Sequence, residues 1–129
     1  MGKRVLLIDD STELVALLTA KLTKAAFEVR AAFDGMYGLR EALRFVPDVI
    51  VLDLTFPGGG GLPILERLKT NLRTKMIPVL VLTAVEDEDI EMQAFNLGAS
   101  AYALKPIKPD DLVNEVNRLL ASAADKSSS

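Results

Sequence analysis

The sequence predicts a single doubly wound α/β domain, five β-α units built around a five-stranded parallel sheet. Three observations predict it. Short apolar runs recur five times, at residues 5–8, 29–32, 49–52, 79–82 and 101–104, and VLLI, VIVL and VLVL among them lack the polar alternation of a half-exposed strand. Such runs mark parallel strands covered on both faces. Between them apolar residues recur at helical spacing, and β-α alternation with right-handed crossovers yields this architecture. The 129 residues fit one core, burying roughly two thirds of the surface an unfolded chain exposes.

Each helix has its own signal. Leu14, Val15, Leu18 and Leu22 form the first stripe. The second helix covers about 35–45 and is stopped by Pro47. Ile64, Leu65, Leu68 and Leu72 form the third stripe, and Leu112, Val116, Leu119 and Leu120 the fifth. The fourth helix, about 87–96 and ending at Gly98, has the weakest stripe and is expected to be the most mobile. From Ala121 the periodicity is lost and the chain ends in serines, so 1–121 reads as the folded domain and 122–129 as a frayed helix end, flexible tail or linker.

Composition excludes several functions. A net charge of −3 gives no general attraction to nucleic acid or anionic membranes, because counterion release needs a clustered basic surface. Without cysteine there is no disulfide, thiolate nucleophile or cysteine-bound zinc, and a reducing cytoplasm fits. Without histidine, any imidazole the chemistry needs must come from another protein. The start MGKRVLLIDD has too short an apolar run for a signal peptide, and no stretch approaches the roughly 18 apolar residues of a membrane span.

Ligands of doubly wound sheets bind at the carboxyl ends of the strands. The residues just past each strand are Asp9 and Asp10 after the first, Asp53 after the third, Thr83 after the fourth and Lys105 after the fifth. Three carboxylates within about 5 Å of one another repel by roughly 3 kcal/mol per pair at an effective dielectric near 20. Lys105 supplies one positive charge. An all-oxygen cluster beside solvent suits a hard divalent ion that keeps several waters, for which Mg²⁺ is the natural choice. With metal and Lys105 offsetting charge, a strand-tip carboxylate can attack phosphorus, and Thr83 adds a hydroxyl donor.

Four motifs, LLIDD at 6–10, VLDLTFPGGGGL around Asp53, VLVLTA ending at Thr83 and Ala84, and GASAYALKP at 98–106, together resemble the CheY-like receiver domains of bacterial two-component response regulators over nearly the whole chain. The resemblance implies a flavodoxin/CheY-like fold with strand order 2-1-3-4-5. It implies a signalling switch, not a turnover enzyme, in which a sensor histidine kinase, a phosphotransfer protein or a small phosphodonor phosphorylates Asp53. It also implies that Asp9, Asp10, Asp53 and the backbone carbonyl of Thr55 hold Mg²⁺, that Lys105 and Thr83 contact the phosphoryl group, and that small Ala84 leaves room for it. Thr83 and Tyr102 would be the moving pair, and the fourth helix, fifth strand and fifth helix the surface that meets a downstream target or output domain. The Lys105–Pro106 bond is a cis candidate, and Thr55 and Val85 occupy places the resemblance ties to the lifetime of the phosphorylated state. Two departures are Phe56 before Pro57, where Met is frequent, and the run Gly58, Gly59, Gly60, Gly61, which adds backbone freedom to the loop.

Plainer readings exist for each residue. Asp9, Asp10 and Ser11 can cap the first helix, since D-S-T-E resembles a capping box, and Thr83 can cap the fourth. Lys105 can be a solvated turn lysine and Tyr102 ordinary core. The acidic run 86–89 reads as a favourable charge set at a helix N-terminus. The glycine run lacks the Lys and Ser/Thr of a phosphate-binding P-loop. Two rival functions remain at this level. One is an Mg²⁺-dependent aspartate-nucleophile phosphohydrolase, disfavoured because Thr55 stands where a second Asp is usual; the other is a degenerate receiver that binds partners without phosphorylation.

Overall fold

A computed structural model of the chain describes residues 2–55 and 60–128. Ten elements alternate along it: β1 (Arg4–Ile8), α1 (Thr12–Lys24), β2 (Glu28–Ala32), α2 (Gly35–Phe45), β3 (Val49–Leu52), α3 (Leu62–Thr70), β4 (Val79–Thr83), α4 (Glu88–Asn96), β5 (Ala101–Leu104) and α5 (Pro109–Ser128). All strand pairs are parallel, in the order β2-β1-β3-β4-β5.

Because side chains alternate across a strand, each apolar run feeds two cores. Leu6, Ile8, Ile50, Leu52, Val79 and Val81 face α2, α3 and α4. Val5, Leu7, Val49, Val51, Leu80 and Leu82 face α1 and α5. β1, β3 and β4 are buried on both faces, which is why their sequences carry no alternation. The strand ladder continues one residue beyond three strands: the amide of Asp9 donates to Ala32 O (3.0 Å), that of Asp53 to Ile8 O (2.9 Å) and that of Lys105 to Thr83 O (2.9 Å). The central strands therefore hold these three backbones at one edge.

Two expectations change. Leu72 does not belong to the third helical stripe: α3 ends at Thr70 and Leu72 is 81% exposed. Asn71 breaks the helix by taking the Arg73 amide on its side chain (2.8 Å) and the Lys75 amide on its carbonyl (2.8 Å). Thr83 is the last residue of β4, paired with Leu104, rather than the first residue past it. The backbone of 122–128 is helical in continuation of α5. α4 buries only Ala94 fully, in line with its weak pattern. Among the described residues no helix is long and apolar enough to cross a membrane.

Candidate functional site

The carboxyl edge of β1, β3 and β5 gathers Asp9, Asp10, Asp53 and Lys105. Carboxylate oxygens of the three acids lie within 4.8 Å of one another, with Asp9 and Asp53 buried and Asp10 exposed. Among the described residues no second group of three such ligands comes together. The Lys105 ammonium reaches Asp9 Oδ2 at 2.7 Å and Asp53 Oδ2 at 3.4 Å, so the plain reading of a solvated turn lysine does not describe it. Burial by itself would lower the Lys105 pKa, but the hydrogen bond to Asp9 and the charges of Asp53 and Asp9 outweigh it and hold the ammonium above its ordinary value. The Lys105–Pro106 peptide is cis.

The two buried carboxylates are oriented locally as well. Asp9 Oδ1 accepts the Ser11 amide (2.9 Å). Ser11, not Asp9 or Asp10, caps α1, its hydroxyl accepting from the Leu14 amide at 3.3 Å. Asp53 Oδ1 accepts the Thr55 amide (3.3 Å), and Asp53 Oδ2 accepts the Thr55 hydroxyl (2.8 Å). The sequence reading of Thr55 covers its backbone carbonyl, its place where a second Asp is usual and, by resemblance, the lifetime of the phosphorylated state, but not a hydroxyl bond to Asp53. A hydroxyl two residues past a strand-end Asp is the signal that was open to reading, since such side chains bond locally to their neighbours.

Thr83 is fully buried and its oxygen accepts the Val85 amide at 3.4 Å. It does not cap α4; Asp87 does, accepting from the amides of Asp89 (2.8 Å) and Ile90 (3.3 Å). The run of acids 86–89 thus sits at the positive end of a helix. Ala84 is exposed beside Thr83. Tyr102 is not part of the acidic cluster. Its hydroxyl donates to Val85 O at 2.7 Å, so Val85 connects Tyr102 to Thr83 through its two backbone groups. Burial first, then the negative charges of Glu91 and Asp87, push the Tyr102 phenol above its ordinary pKa.

Phe56, Pro57, Gly58 and Gly59, where the glycine-rich loop was expected to add freedom, lie outside the described residues. At the loop's return, Gly61 donates to Leu54 O (2.8 Å), and a Cβ there would fall 2.4 Å from Asp53 O. Gly61 is therefore required by its close approach to the Asp53 backbone, a packing reason distinct from phosphate binding.

A family model described as the response regulator receiver domain matches residues 5–117. The chain belongs to that family. This receiver domain is 40% identical over 113 residues to the response regulator PleD of Caulobacter vibrioides, covering 88% of the chain and 24% of PleD. It thus spans about a quarter of that relative. It is 32% identical to the protein PilH of Pseudomonas aeruginosa, covering 92% of the chain and 98% of PilH. Among solved structures, the chemotaxis response regulator CheY4 of Vibrio cholerae superposes with a TM-score of 0.85 at 27% identity, covering 92% of this receiver domain and 98% of CheY4. Its class of activity is that of the family, a phosphorylation-controlled signalling switch. The flavodoxin-like strand order is the one the resemblance implied.

Proposed function

We propose that Asp53 is the phosphoacceptor of this receiver domain and that Asp9, Asp10 and the Thr55 carbonyl join it in holding Mg²⁺. The observation that carries the reading is Lys105, whose ammonium spans Asp9 and Asp53 in a pocket where three acids face one cation. That donor set, carboxylates beside solvent with no nitrogen or sulfur ligand, suits a hard divalent ion. When bound, the metal supplies charge neutralisation for the phosphoryl oxygens.

The chain's own residues do the rest. An Asp53 carboxylate oxygen attacks phosphorus in line, the bond from phosphorus to a kinase or phosphotransfer histidine breaks, and the imidazole leaves with its electron pair. Lys105 stands within 3.4 Å of the Asp53 carboxylate, placed to hold the added negative charge, and exposed Ala84 leaves its side of the pocket open. Thr83 would move its hydroxyl toward the phosphoryl group, giving up the Val85 amide, and Tyr102 would respond through the same Val85. The surface so altered is α4, β5 and α5, where a downstream protein or output domain would read the state. In this reading the domain spans 1–121, with 122–129 as the link outward, and it works in the cytoplasm without contacting nucleic acid itself. Thr55 argues against a hydrolase: it holds Asp53 by its hydroxyl and offers no second carboxylate.

Acetyl phosphate with Mg²⁺ tests the proposal by intact mass. One labile phosphoryl adduct is expected, absent from Asp53→Ala and absent in EDTA. Steady turnover of assorted phosphate esters would favour the hydrolase. No adduct, together with unchanged NMR signals at Thr83 and Tyr102 on adding beryllofluoride and Mg²⁺, would favour a degenerate receiver.

A further inference from the structure

The helix layer formed by α2, α3 and α4 carries opposite charges at its two ends. α2 and α3 frame a groove of about 740 Å³ whose lining includes Arg40, Arg67, Leu39 and Leu43, with Met36 (63% exposed) and Tyr37 at its mouth. Arg44 lies one turn beyond Arg40, and Arg73 leans onto α2 through Leu43 O (3.2 Å). None of these four arginines forms an ion pair among the described residues. Arg40 and Arg67 line the groove with one acid, Asp34, while Arg44 and Arg73 flank it, so positive charge gathers here on a chain whose net charge is −3.

α4 is its complement. Residues 86–96 contain Glu86, Asp87, Glu88, Asp89 and Glu91 and no cation, and among the described residues none of these acids forms an ion pair. Helical spacing groups Glu88, Glu91, Met92 and Phe95 on one stripe beside buried Ala94, all four exposed, Met92 at 62% and Phe95 at 44%. The acidic helix thus offers carboxylates to Arg40 and Arg67 and apolar side chains to Met36, Tyr37 and the leucines of the groove.

We propose that two copies of this chain associate through the α2-α3-α4 layer, α4 of each copy lying in the α2–α3 groove of the other. Because α2, α3 and α4 pack on one side of the sheet with α3 between the others, a two-fold axis running along α3 satisfies both contacts at once. The interface is then isologous and closes as a dimer rather than growing into a filament. Opposite charges steer the encounter and set the register, and the methionines and aromatics supply the apolar centre.

Sedimentation velocity on the full chain tests this. A dimer is expected at low salt, dissociating as salt screens the charges. Arg40→Glu with Arg67→Glu, or Glu88→Lys with Glu91→Lys, should each weaken self-association more than about a hundredfold, since like charges then face one another. An equimolar mixture of the two double variants should restore a heterodimer, because both of its contacts again pair opposite charges; circular dichroism verifies that each variant is folded. A wild-type chain that stays monomeric at low salt overturns the proposal, as does a mixture that fails to associate. If the monomeric chain nonetheless binds a synthetic peptide of residues 86–97 in an Arg40-dependent way, the groove serves an acidic helix of another protein.

Discussion

Replacing Asp10 with Asn removes one of three clustered carboxylates while keeping the shape of the side chain. At 4.8 Å, the outer limit of their separation, two like charges repel by about 0.9 kcal/mol in bulk water and about 3.5 kcal/mol at an effective dielectric near 20. Asp10 is exposed, which places each of its two pairs near the lower figure, roughly 2 kcal/mol together. Attraction to Lys105 offsets part of that, leaving a net gain of about 1 kcal/mol for Asp10→Asn without metal. Mg²⁺ at ten times its dissociation constant should stabilise the wild type by about 1.4 kcal/mol through binding to the folded state alone. The variant, short one ligand, should gain much less, so the order of stabilities levels or reverses. Urea unfolding followed by circular dichroism, in EDTA and in Mg²⁺, reads both effects. A variant less stable than wild type in EDTA would refute the reasoning, because Asp10 would then be supporting the start of α1 and not opposing its neighbours.

Three more outcomes follow from other parts of the fold. A Cβ on Gly38 would lie 2.7 Å from Ile8 Cδ1 and 2.8 Å from Ile8 Cγ2, so Gly38→Ala should lose about 1 kcal/mol net of its better helix propensity. Since Ile8 precedes Asp9, it should also slow phosphorylation by acetyl phosphate; adding Ile8→Val should recover stability, and no recovery would locate the strain elsewhere. Val46 closes α2 at φ 48° and is 53% exposed, so Val46→Gly should raise stability by about 1 kcal/mol by removing a left-handed β-branched residue, a gain visible in the denaturation midpoint. In a Tyr37→Phe background Tyr102 is the sole tyrosine, and the midpoint of its phenolate absorbance should lie above pH 10.0. The folded state keeps that proton where the unfolded chain has released it, so stability is unaffected below pH 10 and falls as pH rises from there toward the folded value. Glu91→Gln should move the midpoint back down, and a midpoint at or below 10.0 in the parent would contradict the assigned burial and charges.

The sequence by itself determined the alternation of elements, the parallel sheet and the edge at which Asp9, Asp10, Asp53, Thr83 and Lys105 emerge. Those follow from local pattern: unbroken apolar runs mark strands covered on both faces, and a polar residue ending such a run has only the strand's carboxyl end to occupy. Only the tertiary structure decided which groups touch. The Lys105 ammonium spanning Asp9 and Asp53 depends on β1, β3 and β5 closing to within side-chain reach, and the path from Tyr102 to Thr83 runs through backbone atoms of Val85, whose identity carries no hint of it. Leu72 fails as a core residue for the same reason. Its spacing suited a stripe, but Asn71 competed for the backbone amides and ended α3 first. Periodicity records which face each residue prefers; distances, charge pairing and the opposed ends of the α2-α3-α4 layer arise only when segments far apart in the chain pack together.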